Sequence, residues 1–325
     1  MQPILVTGGA GFIGAHTCKA LAADGLNPIV FDNLSRGHRD VVRWGPFVHG
    51  DVLRPADLDR AFERYQPKSV IHFAALAYVG ESVTQPLTYY QNNVSGVINV
   101  LDAMLRHGAD TMVFSSSCAT YGIPDALPIG ENARQQPINP YGHSKLVGEQ
   151  ILMGVAAAHQ LRLAVLRYFN ACGADPDGEL SERHDPETHL IPLAIDAAIG
   201  RGPPLQIFGL DYPTTDGTCE RDFIHVSDLA RAHVAALRQL STVGENLTLN
   251  LGTGRAYSIL EIISTVEQVT GRSVPIIRAP RRPGDPAVLV ADASRAERLL
   301  DLTLKYSDLK TIIETTWRSR RFLAE

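Results

Sequence analysis

Short apolar segments alternate with longer amphipathic segments over the first half of the chain, and this alternation restricts the folds it can form. The first apolar segment, residues 4–7, runs into glycines at positions 8, 11 and 14, and a helical pattern follows over residues 12–24. Further strands are predicted at 28–32, 47–50, 69–73, 111–115 and 163–167, and helices at 58–65, 90–107 and 141–160. This order predicts an α/β fold with a parallel sheet that is covered by helices on both faces.

The pattern becomes irregular after residue 170. Residues 175–189 are rich in glycine, proline and charge and predict a long loop, and shorter helices and strands follow it. The sequence therefore predicts a first domain over residues 1–170 and a smaller C-terminal α/β domain over residues 171–325. Elements from about 218–252 are expected to be exchanged with the first domain.

The three glycines indicate what the first domain binds. Gly8, Gly11 and Gly14 let the backbone approach a pyrophosphate at the N-terminus of the following helix. Asp32 ends the second strand, where a carboxylate accepts from an adenosine ribose and repels a 2′-phosphate. The pattern is typical of a Rossmann-type doubly wound sheet that binds NAD rather than NADP, a preference that the nearby Arg36 tempers. A glycine-rich turn without a ligand is the alternative interpretation.

Tyr141 and Lys145 form the most informative pair of side chains. A spacing of four residues places them on one face of a helix, and a nearby ammonium favours the phenolate form of a tyrosine. Three serines, Ser115 to Ser117, come at the end of the strand predicted at 111–115, at the edge where parallel sheets place their sites. An amphipathic helix face and a serine-rich turn are the simpler explanations of these two patterns.

Bulk properties exclude several other classes of function. The 325 residues carry a formal net charge of −5 and contain no basic block, so no nucleic-acid partner is expected. The four cysteines match no zinc pattern, and no metal site is expected. The cysteines form no Cys-x-x-Cys pair, and a reducing, cytoplasmic location is the default expectation. No signal peptide or membrane span is expected either.

Longer motifs give the chain a family resemblance that extends nearly from end to end. They include Tyr-Gly-His-Ser-Lys at 141–145, Arg-Tyr-Phe-Asn at 167–170 and Arg-Arg-Pro-Gly-Asp at 281–285. With them the chain resembles the extended short-chain dehydrogenase/reductase family, and within it the sugar-nucleotide epimerases. The resemblance implies NAD-dependent inversion of C4 of a UDP-hexose, glucose or galactose, through a transient 4-keto sugar.

The resemblance also implies roles for individual residues. Tyr141 would be the base, Lys145 would bind the nicotinamide ribose and lower the pKa of Tyr141, and Ser117 would hydrogen-bond the sugar 4-oxygen. The cofactor residues would be Gly8, Gly11, Phe12, Ile13, Gly14, Asp32, Asn33, Asp51, Val52, Phe73, Ala74, Ala75, Asn92, Ser115, Tyr141, Lys145 and Tyr168. The UDP-sugar residues would be Ser117, Tyr141, Asn170, Leu190, Phe208, Arg221, Arg282, Asp285 and Leu289. A homodimer is expected, with helices 93–107 and 141–160 paired across a two-fold axis.

Three residues depart from the family pattern at individual contacts. Ala77 stands where one branch of the family has a lysine that reaches the cofactor phosphate, Cys118 alters the segment after Ser117, and His189 replaces an asparagine near the uracil site. A UDP-xylose/UDP-arabinose or UDP-N-acetylglucosamine 4-epimerase is an alternative within the family. A 4,6-dehydratase is disfavoured because its Thr-Asp-Glu motif is missing, and a non-catalytic NAD-binding protein because the tyrosine and lysine are both present.

Overall fold

A computed structural model describes residues 2–243, 245–282 and 285–322 of the chain. Two residues of the Arg-Arg-Pro-Gly-Asp motif, Pro283 and Gly284, therefore lie outside the described residues. The strands are β1 (Pro3–Thr7), β2 (Asn27–Asp32), β3 (Phe47–His49), β4 (Ser69–His72), β5 (Thr111–Ser117), β6 (Arg162–Tyr168), β7 (Asn170–Cys172), β8 (Leu205–Phe208), β9 (Glu220–His225), β10 (Leu247–Leu251), β11 (Ala256–Ser258), β12 (Ile276–Ala279) and β13 (Val288–Leu289).

The helices fill the connections between these strands. They are α1 (Phe12–Ala23), α2 (Pro55–Tyr65), α3 (Val79–Thr84), α4 (Pro86–Tyr90), α5 (Gly96–His107), α6 (Pro140–His159), α7 (Leu190–Ala198), α8 (Val226–Val243), α9 (Ile259–Thr270), α10 (Ser294–Leu300) and α11 (Leu309–Phe322). The helix expected at 90–107 is interrupted by a π-helical turn at Gln91–Ser95. Among the described residues, none of these helices combines the length and the apolarity that crossing a membrane would require.

Seven parallel strands form the main sheet, in the order β10-β6-β5-β4-β1-β2-β3. Side chains of a strand alternate between the two faces, so Ile4 and Val6 of β1 pack into one core while Leu5 packs into the other. Helices α1, α8 and α10 cover the first face, and α2, α5 and α6 cover the second. The structure therefore confirms the doubly wound parallel sheet.

A smaller region contains two further sheets. One has the order β11-β9-β13, with β7 also paired to β9, and the other joins β12 to β8. Helices α7, α9 and α11 bury a separate core around Ile195, Ile262 and Ile312. Because β10 belongs to the main sheet, the chain returns to the first region before it completes the second.

Candidate active site

A cavity of about 620 Å³ opens at the carboxyl ends of β1, β2, β4, β5 and β6, where open parallel sheets bind ligands. It extends from the glycine turn to the β9–β13 region. Most of the residues predicted from the sequence line it: Gly8, Gly11, Phe12, Ile13, Gly14, Asp32, Asn33, Val52, Phe73, Ala74, Ala75, Asn92, Ser117, Tyr141, Lys145, Tyr168, Asn170, Arg221, Arg282, Asp285 and Leu289.

The glycine turn forms a cradle at the start of α1. A Cβ on Gly14 would lie 2.2 Å from the carbonyl oxygen of Gly8, and a Cβ on Gly8 would lie 2.6 Å from the amide nitrogen of Ala74. Gly11 is the N-cap of α1 and offers no side chain to cap the first amides of the helix. A Cβ on Gly11 would meet a single atom, the Gly8 carbonyl oxygen, at 3.3 Å. Gly8 and Gly14 permit tight backbone packing, and Gly11 leaves the N-terminus of α1 open to an anion.

Asp32 is held in place beside this cradle. Its carboxylate accepts from the amide of Ala10 at 3.0 Å and from that of Leu34 at 2.8 Å. Burial raises the pKa of Asp32, and these two amides oppose the rise. Arg36, which could have favoured a 2′-phosphate, donates to Glu81 at 2.7 Å and stacks on the ring of Tyr78. The guanidinium is thus already paired, which fits NAD better than NADP.

Helix α6 brings Tyr141 and Lys145 to the end of β5. The helix starts at Pro140, and the side chain of its N-cap Asn139 accepts from the amide of Gly142 at 2.8 Å. Both side chains are buried, and Lys145 donates from Nζ to the carbonyl oxygen of Ser115 at 2.8 Å. The phenol and the ammonium therefore line the same cavity, next to the backbone of the serine strand.

The electrostatics of this pair differ from the sequence-based expectation. Burial raises the pKa of Tyr141, and the hydroxyl of Ser117 makes a smaller opposing contribution. Burial also lowers the pKa of Lys145 to about 8, against the opposing charge of Glu149. In the protein alone, the loss of hydration outweighs the attraction of the ammonium for a phenolate. The expected lowering of the Tyr141 pKa is therefore wrong for the protein without a ligand.

The three serines lie within β5 and not in a turn after it, because β5 continues to pair with β6 as far as Ser117. Ser115 donates to the hydroxyl of Tyr168 at 3.1 Å, and Ser116 donates to the buried carboxylate of Glu149. Glu149 in turn forms an ion pair with Arg167 of β6, at 2.7 Å. Only Ser117 of the three lines the cavity. Ser115 and Ser116 instead hold Tyr168 and Glu149 against β5 by hydrogen bonds.

The far end of the cavity carries charged groups from β9 and the segment before β13. Arg221 pairs with Asp285, and Asn170 donates to the carbonyl oxygen of Asp222 at 2.8 Å. The guanidinium of Arg282 lies 3.9 Å from the ring centroid of Phe208. These contacts collect two cations and a carboxylate at one end of the cavity.

Four of the residues predicted from the sequence do not line the cavity. Asp51 accepts from the amide of Leu53 and the side chain of Asn33, so its carboxylate is engaged in the turn after β3. Ser115 is buried behind Lys145, Leu190 packs into the core of the smaller region, and Phe208 supports Arg282. Their assigned contacts with cofactor or substrate stay predictions.

Other cavity residues were not predicted from the sequence. They include Tyr78, Glu81, Cys118, Ile138, Asn139, Glu182 and His184. Glu182 and His184 lie in the long loop between β7 and α7, and no local pattern distinguishes them from surface charges. Only the folded chain brings that loop against Phe12, the first residue of α1, whose ring centroid lies 6.0 Å from that of His184.

A glycine cradle, a buried carboxylate and a tyrosine–lysine pair in one cavity define a dinucleotide-binding enzyme of the Rossmann type. The sequence profile of the NAD dependent epimerase/dehydratase family matches residues 4–252, and the chain belongs to this family. The UDP-glucose 4-epimerase of Rhizobium meliloti (strain 1021) is 50% identical over 320 residues, which cover 98% of this chain and 97% of the relative.

Solved structures give the same result. A crystal structure of UDP-glucose 4-epimerase from Brucella ovis in complex with NAD is 56% identical, has a TM-score of 0.96 and covers 98% of both chains. The UDP-glucose 4-epimerase from Bifidobacterium longum in complex with NAD+ and UDP is 38% identical, with a TM-score of 0.94. That match covers 99% of this chain and 98% of the other.

Proposed function

We propose that the protein is an NAD-dependent epimerase that inverts C4 of a UDP-hexose and interconverts UDP-glucose and UDP-galactose. One observation carries the proposal. A single cavity joins the glycine cradle and Asp32 at one end, Tyr141 in the middle and the arginines near Asp285 at the other. The relatives named above supply the reaction and the two ligands, and the motifs of this chain match that chemistry.

NAD fits the residues present. The open N-terminus of α1 suits a pyrophosphate, Asp32 suits the hydroxyls of an adenosine ribose, and Lys145 suits those of the nicotinamide ribose. When bound, NAD+ would supply a hydride acceptor for C4 of the sugar and a positive charge that favours the phenolate of Tyr141. We propose that the cofactor stays bound through each cycle, because the reaction consumes no net reducing equivalent.

The chain's own residues then handle the proton and the substrate. Tyr141 takes the proton of the sugar 4-hydroxyl and returns it to the 4-oxygen when that oxygen is presented from the other face. Ser117 hydrogen-bonds the same oxygen, and Lys145, whose pKa of about 8 is close to neutral pH, keeps a cation near the phenol. Catalysis by a positioned base contributes roughly 10²- to 10⁴-fold in rate.

The two arginines are assigned to the nucleotide end of the substrate. Guanidinium groups bind phosphate oxygens in a forked geometry, so Arg221 and Arg282 would hold the diphosphate and Asp285 a ribose hydroxyl. Asn170, Leu190 and Phe208 are proposed to complete the UDP site. Tight binding of UDP anchors the intermediate while leaving the sugar free to turn, although uniform binding alone does not lower the barrier.

Elimination of water, as in a 4,6-dehydratase, is disfavoured by the residues after Ser117. Cys118 and Ala119 line the cavity where a dehydratase would place an acid and a base. Burial raises the pKa of the Cys118 thiol to about 12, so this thiol does not ionise near neutral pH. Epimerisation requires neither group.

We further propose a homodimer in the cytoplasm. Ile98 of α5 and Met153 of α6 are large apolar side chains that are 47% and 43% exposed, which suits a two-fold helical interface. All four cysteines are free thiols, as a reducing compartment favours. Light scattering at micromolar concentration tests the assembly, and Met153→Glu should shift a dimer towards monomer.

One experiment tests the proposed reaction directly. Purified protein is incubated separately with UDP-galactose, UDP-arabinose and UDP-N-acetylgalactosamine, and the products are separated by chromatography. UDP-galactose should be converted to UDP-glucose faster than the other two substrates are converted to their own C4 epimers, and acid treatment of the protein should release NAD. Exclusive turnover of UDP-arabinose, or release of NADP, would overturn the assignment of the sugar or of the cofactor.

A further inference from the structure

The loop between β7 and α7 brings four metal-binding side chains together at the wall of the cavity. They are Glu182, His184, Glu187 and His189, and one ligand atom from each lies within 4.8 Å of all the others. Glu182, His184 and His189 also line the cavity. The cluster is separate from the residues that handle the proton, so the proposed reaction does not explain it.

The donor atoms converge without forming a complete hydrogen-bond network. Oε1 of Glu182 lies 3.2 Å from Nδ1 of His184 and 3.0 Å from Nδ1 of His189. Despite these distances, neither carboxylate oxygen of Glu182 has a hydrogen-bond partner, and Nδ1 of His184 has none. Glu182 is only 2% exposed. A buried carboxylate without a partner is costly, unless another group satisfies it.

Glu187 contributes a second carboxylate to the same point. Its Oε1 lies 2.8 Å from Nδ1 of His189 and also accepts from the amides of Thr188 and His189. These amide contacts fix the orientation of the carboxylate and leave Oε2 without a hydrogen-bond partner. The nearest guanidinium, that of Arg320, is 3.8 Å from Oε2 and donates its shorter bonds to Asp196.

A neighbouring acidic group in the same loop shows the contrast. Asp175, Asp177 and Glu179 also lie close together, but the ammonium of Lys19 contacts all three at 2.7–2.8 Å. The chain itself therefore supplies a cation that contacts every carboxylate of that group. At Glu182 and Glu187, among the described residues, the shortest contacts are with imidazole nitrogens instead.

We propose that Glu182, His184, Glu187 and His189 bind one divalent transition-metal ion of the zinc class. Two imidazole nitrogens and two carboxylates form a donor set that suits Zn²⁺, whereas Mg²⁺ and Ca²⁺ prefer oxygen ligands. Four protein ligands make a closed site, which is typical of a structural metal. The ion fastens the loop to the start of α7 and to the cavity wall beside Tyr78, whose ring centroid is 5.9 Å from that of His184.

Metal analysis and titration test the proposal on the full-length protein with any affinity tag removed. Protein dialysed against zinc should retain about one equivalent of zinc by elemental analysis. After treatment with EDTA it should bind one equivalent of ZnCl₂ in calorimetry, and CoCl₂ should give the intense visible absorption of a four-coordinate site. MgCl₂ should produce no binding. Zinc should raise the Tm by a few degrees, because it binds only the folded protein.

Three variants separate this site from adventitious binding. Glu182→Gln and His184→Gln should each lose the stoichiometric equivalent and the response of Tm to EDTA. His159→Gln removes an exposed histidine at the end of α6 and should bind zinc like the unchanged protein. His184 is only half-buried, so its variant remains informative if Glu182→Gln fails to fold. The readouts are metal content and Tm, so they are independent of epimerase activity.

The alternative is a metal-free cluster of histidines and carboxylates. Equal zinc binding by the unchanged protein and by His184→Gln would overturn the proposal, and so would a Tm that is insensitive to zinc and EDTA in the unchanged protein. Loss of zinc binding confined to Glu182→Gln and His184→Gln would support it.

Discussion

The buried ion pair behind the serine strand offers the sharpest test of how this site is held. Glu149 and Arg167 have side chains that are 1% and 4% exposed. Nε of Arg167 donates to both carboxylate oxygens at 3.0 and 3.1 Å, and Nη2 of Arg167 donates to one of them at 2.7 Å. Gln135 donates to the same carboxylate at 3.0 Å. Glu149→Gln would leave the guanidinium buried without its counter-charge.

The expected loss is large because a charge would remain uncompensated. Breaking a buried pair by removing one partner costs roughly 3–5 kcal/mol of unfolding free energy. Asp102→Asn is the matched control, because the pair of Asp102 with Arg106 is 60% and 40% exposed, and such pairs contribute about 0.2–0.5 kcal/mol. Urea denaturation measures both variants. A double variant, Glu149→Met with Arg167→Met, should recover at least about 2 kcal/mol, because neither charge of the pair is then left buried without its partner.

Activity gives a second readout of the same change. The charge of Glu149 partly opposes the burial that lowers the pKa of Lys145 to about 8. Glu149→Gln should therefore lower the Lys145 pKa further, and the alkaline limb of the rate–pH profile should move to lower pH. Equal stability losses for Glu149→Gln and Asp102→Asn would refute the argument from burial. An unchanged alkaline limb would refute the link to Lys145.

Four further predictions concern the cofactor cradle and the reaction. Gly14→Ala should destabilise the fold because its Cβ would lie 2.2 Å from a backbone oxygen, whereas Gly11→Ala should fold and retain less NAD; thermal melting and released cofactor distinguish the two. Tyr141→Phe should fold normally and lose on the order of 10²- to 10⁴-fold in turnover, and near-full activity would place the base elsewhere. Lys145→Met should be inactive yet more stable than the unchanged protein at pH 7, by up to about 3 kcal/mol, because the buried ammonium carries a cost below pH 8. This advantage should shrink as pH rises from about 8 towards 10.5, where the folded protein has lost a proton that the unfolded chain keeps, and a gap that widens with pH would contradict it. Leu289→Ala should raise turnover of N-acetyl sugars relative to hexoses by up to about two orders of magnitude, because an acetamido group would overpack against Leu289 at a cost of roughly 1–3 kcal/mol. An unchanged ratio with lower stability would make Leu289 a core residue only.

The first half of the fold could be predicted from the sequence because its signals are local. Between β1 and α1, the positions of Gly8 and Gly14 are required because a Cβ there would clash with nearby backbone atoms. Asp32 follows at the end of the next strand. Strand β10 is also visible as a short apolar segment, and the structure places it in the main sheet beside β6. In these cases the signal for an element lies within its own segment of the sequence.

Strand β9 could not be predicted because its determinants are distant. It contains Arg221 and Asp222, which argue against a buried strand. Asp222 is nevertheless fully buried, because its carboxylate accepts from the amides of Thr253, Gly254 and Ala291. Those partners lie 31 to 69 residues away in the chain, and no local pattern announces them.

The predicted lowering of the Tyr141 pKa is wrong for the protein without a ligand, for a related reason. The four-residue spacing from Lys145 predicts a neighbouring cation correctly, but the sequence contains no measure of how completely the pair is buried. In the structure Tyr141 is 6% exposed, and the loss of hydration dominates. Geometry along a helix is a local property, whereas burial depends on everything packed around it.

The late position in the chain of α8, β10 and α10 has a consequence for folding during synthesis. Helices α8 and α10 cover one face of the main sheet, and both follow residue 225 in the chain. A ribosome must therefore release most of the polypeptide before the core around α1 can be buried. We expect a fragment ending at residue 170 to expose Val6, Val30 and Ile71 and to aggregate. The two regions should accordingly melt in one cooperative transition.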